Sequence, residues 1–227
     1  MKGIFAINKP RGPSSYAIVA GIKRLVGGTK REKVGHAGTL DPLAEGVLVV
    51  AIGREFTKQI DKIVKKEKEY LAEIKLGTTS VTDDEEGEKN EISVKRIPTL
   101  TEIEKIKNDF IGEIVQVTPE YSAAKVGGGE EGYKKARRGE KFTPPPRFVY
   151  IERIDVISYE WPILQIKTVT GPGVYIRSLA REFGEKLGTG GYLTRLVRTR
   201  VGDFRIEDAV SPEEIFQTNK VVKLNEN

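Results

Sequence analysis

The residues best suited to chemistry lie together in Val34-Gly35-His36-Ala37-Gly38-Thr39-Leu40-Asp41-Pro42-Leu43-Ala44-Glu45-Gly46, which holds the only histidine of the chain. The stretch is too irregular for a regular helix or strand. Its glycines permit tight turns and close backbone approach to a ligand, and loops of this kind on rigid supports are common functional sites. Asp41 precedes Pro42, which pushes it toward an extended backbone and so fixes where its carboxylate points. The same spacing also fits an Asx turn capped by Asp41. With no cysteine there is no disulfide, thiolate nucleophile or thiolate metal site. With one histidine, a zinc site or a Ser-His-Asp triad would have to rest on His36 alone.

The surrounding pattern describes a mixed α/β (α+β) body. Val47-Leu48-Val49-Val50-Ala51-Ile52 reads as a buried element directly after the loop. Ser14 or Ser15 can cap a helix whose apolar face is Ile18, Val19, Ile22, Leu25 and Val26. Phe56, Ile60, Ile63 and Val64 also have helical spacing. Tyr70, Ala72, Ile74 and Leu76 alternate with Glu73 and Lys75, which predicts a strand. Residues 82–90 are acidic and polar and read as an exposed turn. Thr101-Glu102-Ile103-Glu104 has a capping-box pattern opening a short helix through Ile106 and Phe110. Residues 148–158 and 163–169 predict two strands. Ile176, Leu179, Ala180, Phe183 and Leu187 mark a helix that Gly188 can end, and Ser211-Pro212-Glu213-Glu214 starts a last short one. The glycine-rich start of residues 126–146 resists regular structure, because glycine loses much entropy on ordering.

The chain has 227 residues, enough for one domain or two small ones, with 38% hydrophobic and 31% charged residues. No apolar run approaches the ~20 residues of a membrane span. The start, Met1-Lys2-Gly3-Ile4, lacks a long apolar stretch, so cytoplasmic residence is the expectation. The formal charge of +5 favours an anionic partner only weakly; the placement of the charge says more. Lys23, Arg24, Lys30, Arg31 and Lys33 lead into the Asp41 loop. Lys125, Lys134, Lys135, Arg137, Arg138, Lys141 and Arg147 surround the glycine- and proline-rich segment, with Tyr133 and Phe142 among them. Arg195, Arg198, Arg200 and Arg205 form a third group. Basic groups around glycine loops suit a phosphate backbone and unstacked bases, although each lysine alone also fits an ordinary solvated surface. A nucleotide-binding enzyme is disfavoured. Gly171-Pro172-Gly173 before a helix could meet a phosphate, but the Walker pattern is missing and Gly35-x-x-Gly38 lacks the dinucleotide spacing.

Five stretches together resemble the TruB family of tRNA pseudouridine synthases. Gly35-His36-Ala37-Gly38-Thr39-Leu40-Asp41-Pro42 is similar to the family's catalytic motif, Gly-His-x-Gly-(Thr/Ala)-Leu-Asp-Pro. Asn8-Lys9-Pro10-Arg11-Gly12-Pro13-Ser14-Ser15 resembles its opening motif, and Lys68-Glu69-Tyr70 with Leu76-Gly77-Thr78-Thr79 its tyrosine-bearing strand. Pro119-Glu120-Tyr121-Ser122-Ala123-Ala124-Lys125 and Tyr133-Lys134-Lys135-Ala136-Arg137-Arg138-Gly139 match the middle of the family. Gly173-Val174-Tyr175-Ile176-Arg177-Ser178-Leu179 and Leu187-Gly188-Thr189-Gly190-Gly191 match its later part. The matches run in family order from about residue 3 to about 205.

The resemblance implies a pseudouridine synthase catalytic fold over residues 1–227, with a largely antiparallel central sheet flanked by helices. It also implies a thumb insertion at about 122–147 that orders over an RNA stem-loop. Two departures stand out. Glu130-Glu131 precede Tyr133 where relatives are basic, and too few residues follow the last motif for the family's C-terminal PUA-type domain, which leads us to expect none. The implied reaction breaks the N1–C1′ bond of uridine 55 in the T-arm loop of tRNA, turns the base over and joins C5 to C1′. It involves no redox change or group transfer, so neither cofactor nor metal is expected. The expected partner is the T-arm stem-loop of tRNA, with no membrane and no protein partner, and the expected state is a monomer.

By the same matching Asp41 is the catalytic carboxylate. It could attack the sugar, attack the base or remove a sugar proton. Arg177 is its cationic partner, Tyr70 stacks on the target base, Tyr175 and Leu196 line the uracil pocket, and His36 holds the RNA while the nucleotide leaves its stack. Lys9, Lys125, Tyr133, Arg137, Arg138 and Arg198 are expected RNA contacts, Lys9 with structural support as its other reading. Read without the family, Tyr70 fits a core tyrosine, Arg177 a surface arginine on a helix's first turn, and His36 a loop histidine bonded to backbone. The alternatives are a pseudouridine synthase for another RNA site, or a non-catalytic RNA-binding or chaperone protein of the same fold.

Overall fold

The computed structural model describes residues 2–26, 32–122, 124–126, 129–140, 142 and 144–216. In chain order the elements are β1 (Gly3–Lys9), α1 (Ser15–Leu25), β2 (Val34–Ala37), β3 (Glu45–Ile52), α2 (Arg54–Thr57), α3 (Ile60–Val64), β4 (Lys68–Leu76), β5 (Thr78–Ser80) and β6 (Lys89–Glu91). They continue with α4 (Leu100–Lys107), β7 (Gly112–Val117), β8 (Lys125–Val126), β9 (Glu130–Glu131), α5 (Gly132–Arg137), β10 (Pro146–Glu160), β11 (Ile163–Thr170), α6 (Ile176–Leu187), β12 (Gly191–Val201) and β13 (Phe204–Arg205). Contacts divide the chain into two compact units, Met1–Leu71 with Leu196–Asn227, and Ala72–Arg195.

The first unit is built around β3. Its run of branched residues from Val47 to Ile52 is buried throughout, as a strand covered on both faces must be. β1 pairs with it antiparallel from Gly3↔Ile52 to Lys9↔Gly46, and β2 antiparallel with His36 opposite Val50. β12 joins it parallel at Val197↔Glu45 and Arg198↔Gly46. Ile4, Ala6, Ala37, Val49, Ala51, Ile63, Val201 and Phe204 form a core cluster here. Helix α1 starts where its composition predicts, with the Ser14 side chain accepting from Ala17 N. It buries Ile18 and Ile22 but leaves Leu25 57% exposed, so the expected apolar face is shorter. The predicted helix through Phe56 and Val64 is two short helices. Gln59 N donates to Phe56 O, a tighter reach that interrupts the α-ladder between them.

In the second unit β10 and β11 form a long antiparallel hairpin, and β7 pairs with the other side of β10, Phe148 opposite Val115. β4 alternates as predicted, burying Tyr70, Ala72, Ile74 and Leu76, and Lys68 as well. The strand order is β1-β3-β12-β4 through the first unit and β12-β4-β11-β10-β7 through the second. The class is the expected mixed α/β with a mostly antiparallel sheet. Helix α6 buries Leu179, Ala180 and Phe183, stacks Phe183 on Phe110 at 4.6 Å between ring centres, and ends at left-handed Gly188.

Three further local expectations need correction. The stretch from Val34 to Gly46 is irregular only in its middle, because Val34–Ala37 pairs with β3 as a strand and Glu45 and Gly46 open β3 itself. The capping box lies two residues earlier than its sequence pattern suggested: Thr99 Oγ1 accepts from Glu102 N, and Glu102 Oε2 accepts from Thr99 N. Residues 82–90 are not wholly exposed, because Asp83 and Asp84 are buried, each facing an arginine of α6. In the expected thumb, β8 and β9 pair as Lys125↔Glu131 and Val126↔Glu130, and α5 follows. Among the described residues no helix is long and apolar enough to cross a membrane.

Candidate active site

In the first unit the Asp41 loop leaves β2 at Ala37 and enters β3 at Glu45. Leu40, Leu43 and Ala44 are buried around half-buried Asp41, so apolar side chains anchor the loop on both sides of the carboxylate. Main-chain bonding closes the turn, with Ala44 N donating to Asp41 O at 3.1 Å. Ser15, expected only as a possible cap, is 1% exposed. Its hydroxyl donates to Leu40 O and accepts from Leu40 N, both at 2.8 Å. Gly12 N donates to Pro42 O at 2.8 Å, and the Lys9 ammonium donates to Pro10 O at 2.9 Å and Pro42 O at 3.4 Å.

Lys9 and Arg198 were expected among the RNA contacts, which the structure corrects for both, and Lys9 instead fits its other reading of structural support. Each is buried, at 0% and 1% exposure, with its charge turned onto backbone carbonyls, out of reach of a phosphate. Arg198 Nε donates to Val47 O at 2.8 Å and its Nη2 to Gly38 O at 2.9 Å. Lys68 lies nearby, its ammonium on Val64 O and Lys66 O at 2.7 and 2.6 Å. Burial, with the charge of Arg198 added, pushes Lys68 down to about 8. The same two causes in the same order hold His36 below the usual imidazole range. Held below 6.5, the ring is mainly neutral at pH 7, and His36 Nδ1, buried with no hydrogen-bond partner among the described residues, is a polar atom for a ligand to satisfy. Tyr70 on β4 and Leu196 on β12 are buried, at 6% and 7% exposure.

In the second unit, Tyr175 caps the N-terminus of α6, and Arg177 follows in its first turn. Gln116, fully buried on β7, grips Tyr175 at two points. Its Oε1 accepts from Tyr175 N at 2.8 Å and its Nε2 donates to Tyr175 O at 3.2 Å. The Arg147 guanidinium lies 5.9 Å over the Tyr175 ring. Arg177 is no surface arginine: it is 4% exposed, with Nη1 on Thr82 O at 3.0 Å and Nη2 on Tyr121 O at 2.9 Å. Its Nε is 3.7 Å from the buried carboxylate of Asp84. Tyr133 and Arg138 lie on or just after α5, where Lys134 sits 5.8 Å over the Tyr133 ring and Arg138 pairs with Glu140. Glu131, expected to repel phosphate, is paired to Lys134 at 2.7 Å. The side chains of Lys125 and Arg137 lie outside the described part of the structure, as do Lys30, Arg31 and Lys141.

Sequence reasoning missed Ser15 as a loop anchor, Gln116 and Asp84. Gln116 left a faint signal, since β7 buries it between exposed Val115 and Val117, the reverse of what polarity dictates. Asp84 left none, being one of several carboxylates in an acidic run.

The arrangement offers a half-buried carboxylate on a loop anchored along its length, a mainly neutral histidine on the strand from which that loop leaves, and in the other unit a buried arginine held in one orientation. Comparison with known proteins identifies the setting. Residues 23–176 match the TruB family pseudouridylate synthase N-terminal domain. The tRNA pseudouridine synthase B of Parabacteroides distasonis is 38% identical over 98% of this chain and 96% of its own. That of Gloeothece citriformis is 42% identical over 88% of this chain, which spans 64% of that relative's length. Among solved structures, a chain of a Cbf5–Nop10–Gar1 complex superposes over 95% of this chain and 54% of its own, with a TM-score of 0.72 and 29% identity. A chain of an H/ACA RNP bound to a substrate RNA containing 2′-deoxyuridine does so with a TM-score of 0.69 and 27% identity, over 95% of this chain and 52% of its own. On its motifs, its fold and these matches, the chain belongs to the TruB family of pseudouridylate synthases.

Proposed function

We propose that the chain converts uridine 55 in the T-arm loop of tRNA to pseudouridine, acting in the cytoplasm as a monomer without a protein partner, metal or cofactor. The observation that carries this reading is the Asp41 loop, which has the family's catalytic sequence and is anchored at Leu40 and Pro42, the residues on either side of the aspartate. The target base is stacked in folded RNA and must be flipped out, at a cost of a few kcal/mol. Its glycosidic bond is then broken and remade at C5, with the carboxylate of Asp41 as the reacting group. Tyr70 stacks on the base, and Tyr175 and Leu196 line the pocket. Arg177 takes the part the family resemblance gives it, the cation for that carboxylate. His36, neutral and with an unsatisfied Nδ1, is suited to bond the RNA as the nucleotide leaves its stack. Tyr133, Arg138 and Arg137 contact the stem.

Tritium release from [5-³H]uridine-labelled T-arm stem-loop, and from whole tRNA, tests the reading with purified protein alone. Wild type releases tritium and Asp41→Asn does not. Release from neither RNA would overturn the assignment of the T-arm, and a requirement for an added protein would overturn stand-alone action.

A further inference from the structure

Arg198 is a buried cation that this reading leaves without a task. It is 1% exposed, and among the described residues no carboxylate pairs with it. A buried guanidinium persists only where its donors find partners, and here backbone carbonyls take bonds from Nε and from Nη2. Those carbonyls lie at the two ends of one loop. Gly38 O is where the chain has just left β2, and Val47 O is where it has entered β3.

The backbone of Arg198 is engaged at the same place. β12 pairs parallel to β3 with Arg198 opposite Gly46. Gly46 adopts φ +96°, and a Cβ there would fall 2.3 Å from Arg198 O. Gly38 adopts φ +78°, and a Cβ there would sit 3.4 Å from Arg198 Nη1. Glycine therefore stands where the loop closes on the arginine's main chain and, again, where it closes on its side chain. We propose that Arg198 is a positioning residue for the catalytic loop: it ties Gly38 to Val47 and so fixes the frame from which Asp41 is presented, without touching RNA. This rests on Asp41 being the reacting carboxylate. Ser15 and Lys9 hold the middle of the loop, and Arg198 holds its ends. The guanidinium meets the two carbonyls from two nitrogens in a fixed planar fork, a geometry that the single ammonium of lysine lacks.

The test compares wild type, Arg198→Lys and Arg198→Met by single-turnover rate, tRNA affinity across salt, and the proton NMR titration of the imidazole. His36 is the only histidine, so one resonance reports the charge beneath the loop. The expected result for Arg198→Lys, which keeps charge and stem, is a rate lowered about 100-fold, the cost of a misplacement near 1 Å. Affinity stays within about two-fold in both variants, and the salt slope is unchanged in Arg198→Met, which removes the charge, where a lost phosphate contact would lower the slope by about 1. The His36 titration stays low in Arg198→Lys and moves up in Arg198→Met. A wild-type rate in Arg198→Lys overturns the proposal, as does weakened, flatter salt-dependent binding with the saturating rate intact. If Arg198→Met does not fold, Arg198→Lys alone decides. If wild type itself forms no pseudouridine, the reading of Asp41 fails, while the His36 titration still reports where Arg198 sits.

Discussion

A carboxylate that works on a detached base must stay still while the base turns, and the residues around Asp41 meet that demand with hydrogen bonds to the loop's main chain. This separates holding from reacting, and substitutions should show it. Asp41→Asn keeps the size of the side chain, so tRNA affinity should stay within a few-fold while turnover falls by at least about 100-fold, the lower range for loss of a reacting acid–base group. Appreciable residual turnover in quantified pseudouridine product would remove Asp41 from that role. Tyr70 is 6% exposed on β4, as a core tyrosine would be. Tyr70→Phe keeps the ring and its packing, so a slower single-turnover rate with unchanged affinity would assign the hydroxyl to the reaction, which is the outcome we expect. An unchanged rate would return Tyr70 to the core. Asp41 and His36 could be found from sequence because a proline, two glycines and a histidine within eight residues, Gly35 to Pro42, form a local pattern. Arg177 was found only as a family match and Arg198 only as one of a basic group, and the burial of neither was foreseen. What each touches is set by strands and loops about 56 to 160 residues away in the chain.

Among the elements, those that end on local chemistry were readable and those set by distant pairing were not. Ser14 and Gly188 mark the two helix ends that sequence placed. The strand of alternating residues at β4 and the two strands β10 and β11 also followed from pattern alone, though not their pairing. The capping box was misplaced because Thr101 and Thr99 each precede an acid three residues on, and only Thr99 has extended backbone before the helix. β7 inverts the usual pattern, because its buried side must carry the amide that grips Tyr175. Gln116→Leu leaves Tyr175 N, part-buried at the start of α6, without its acceptor, while Tyr175 O keeps its bond from Leu179 N, so the fold should lose about 1–3 kcal/mol, measured by urea unfolding. If the grip also sets the start of α6, KM for tRNA should change little while the rate falls. A variant with full stability and full rate would show that Tyr175 is held by α6 itself.

For the whole molecule, composition foretold a basic protein without a membrane-spanning helix, but its pH response depends on burial that composition does not carry. Burial raises Asp83 to about 6, against the opposing charges of Arg181 and Arg177, and raises Glu182 to about 7, against Arg181. Both native values lie above the ordinary 3.8 and 4.5, so the folded chain binds more protons than the unfolded one between them. The stability these groups contribute is therefore full below about pH 4 and is lost as pH rises through about 6 to 7. Lys68 works in the other sense. Its native value of about 8 lies below the ordinary 10.5, so its burial is costly below about 8, and that cost is relieved as pH climbs from there toward 10.5. Together these groups leave the fold least favoured near pH 7 to 8. Glu182→Gln isolates one of them. At pH 5 the native Glu182 is already protonated and glutamine resembles it, so the melting temperatures should nearly coincide. At pH 8 the wild type must keep a buried carboxylate ionised and the variant need not, so the variant should melt higher. The observable is the difference in melting temperature between variant and wild type at the two pH values. A variant that melts lower at pH 8 would mean that pairing with Arg181, 3.5 Å away, outweighs the burial of Glu182.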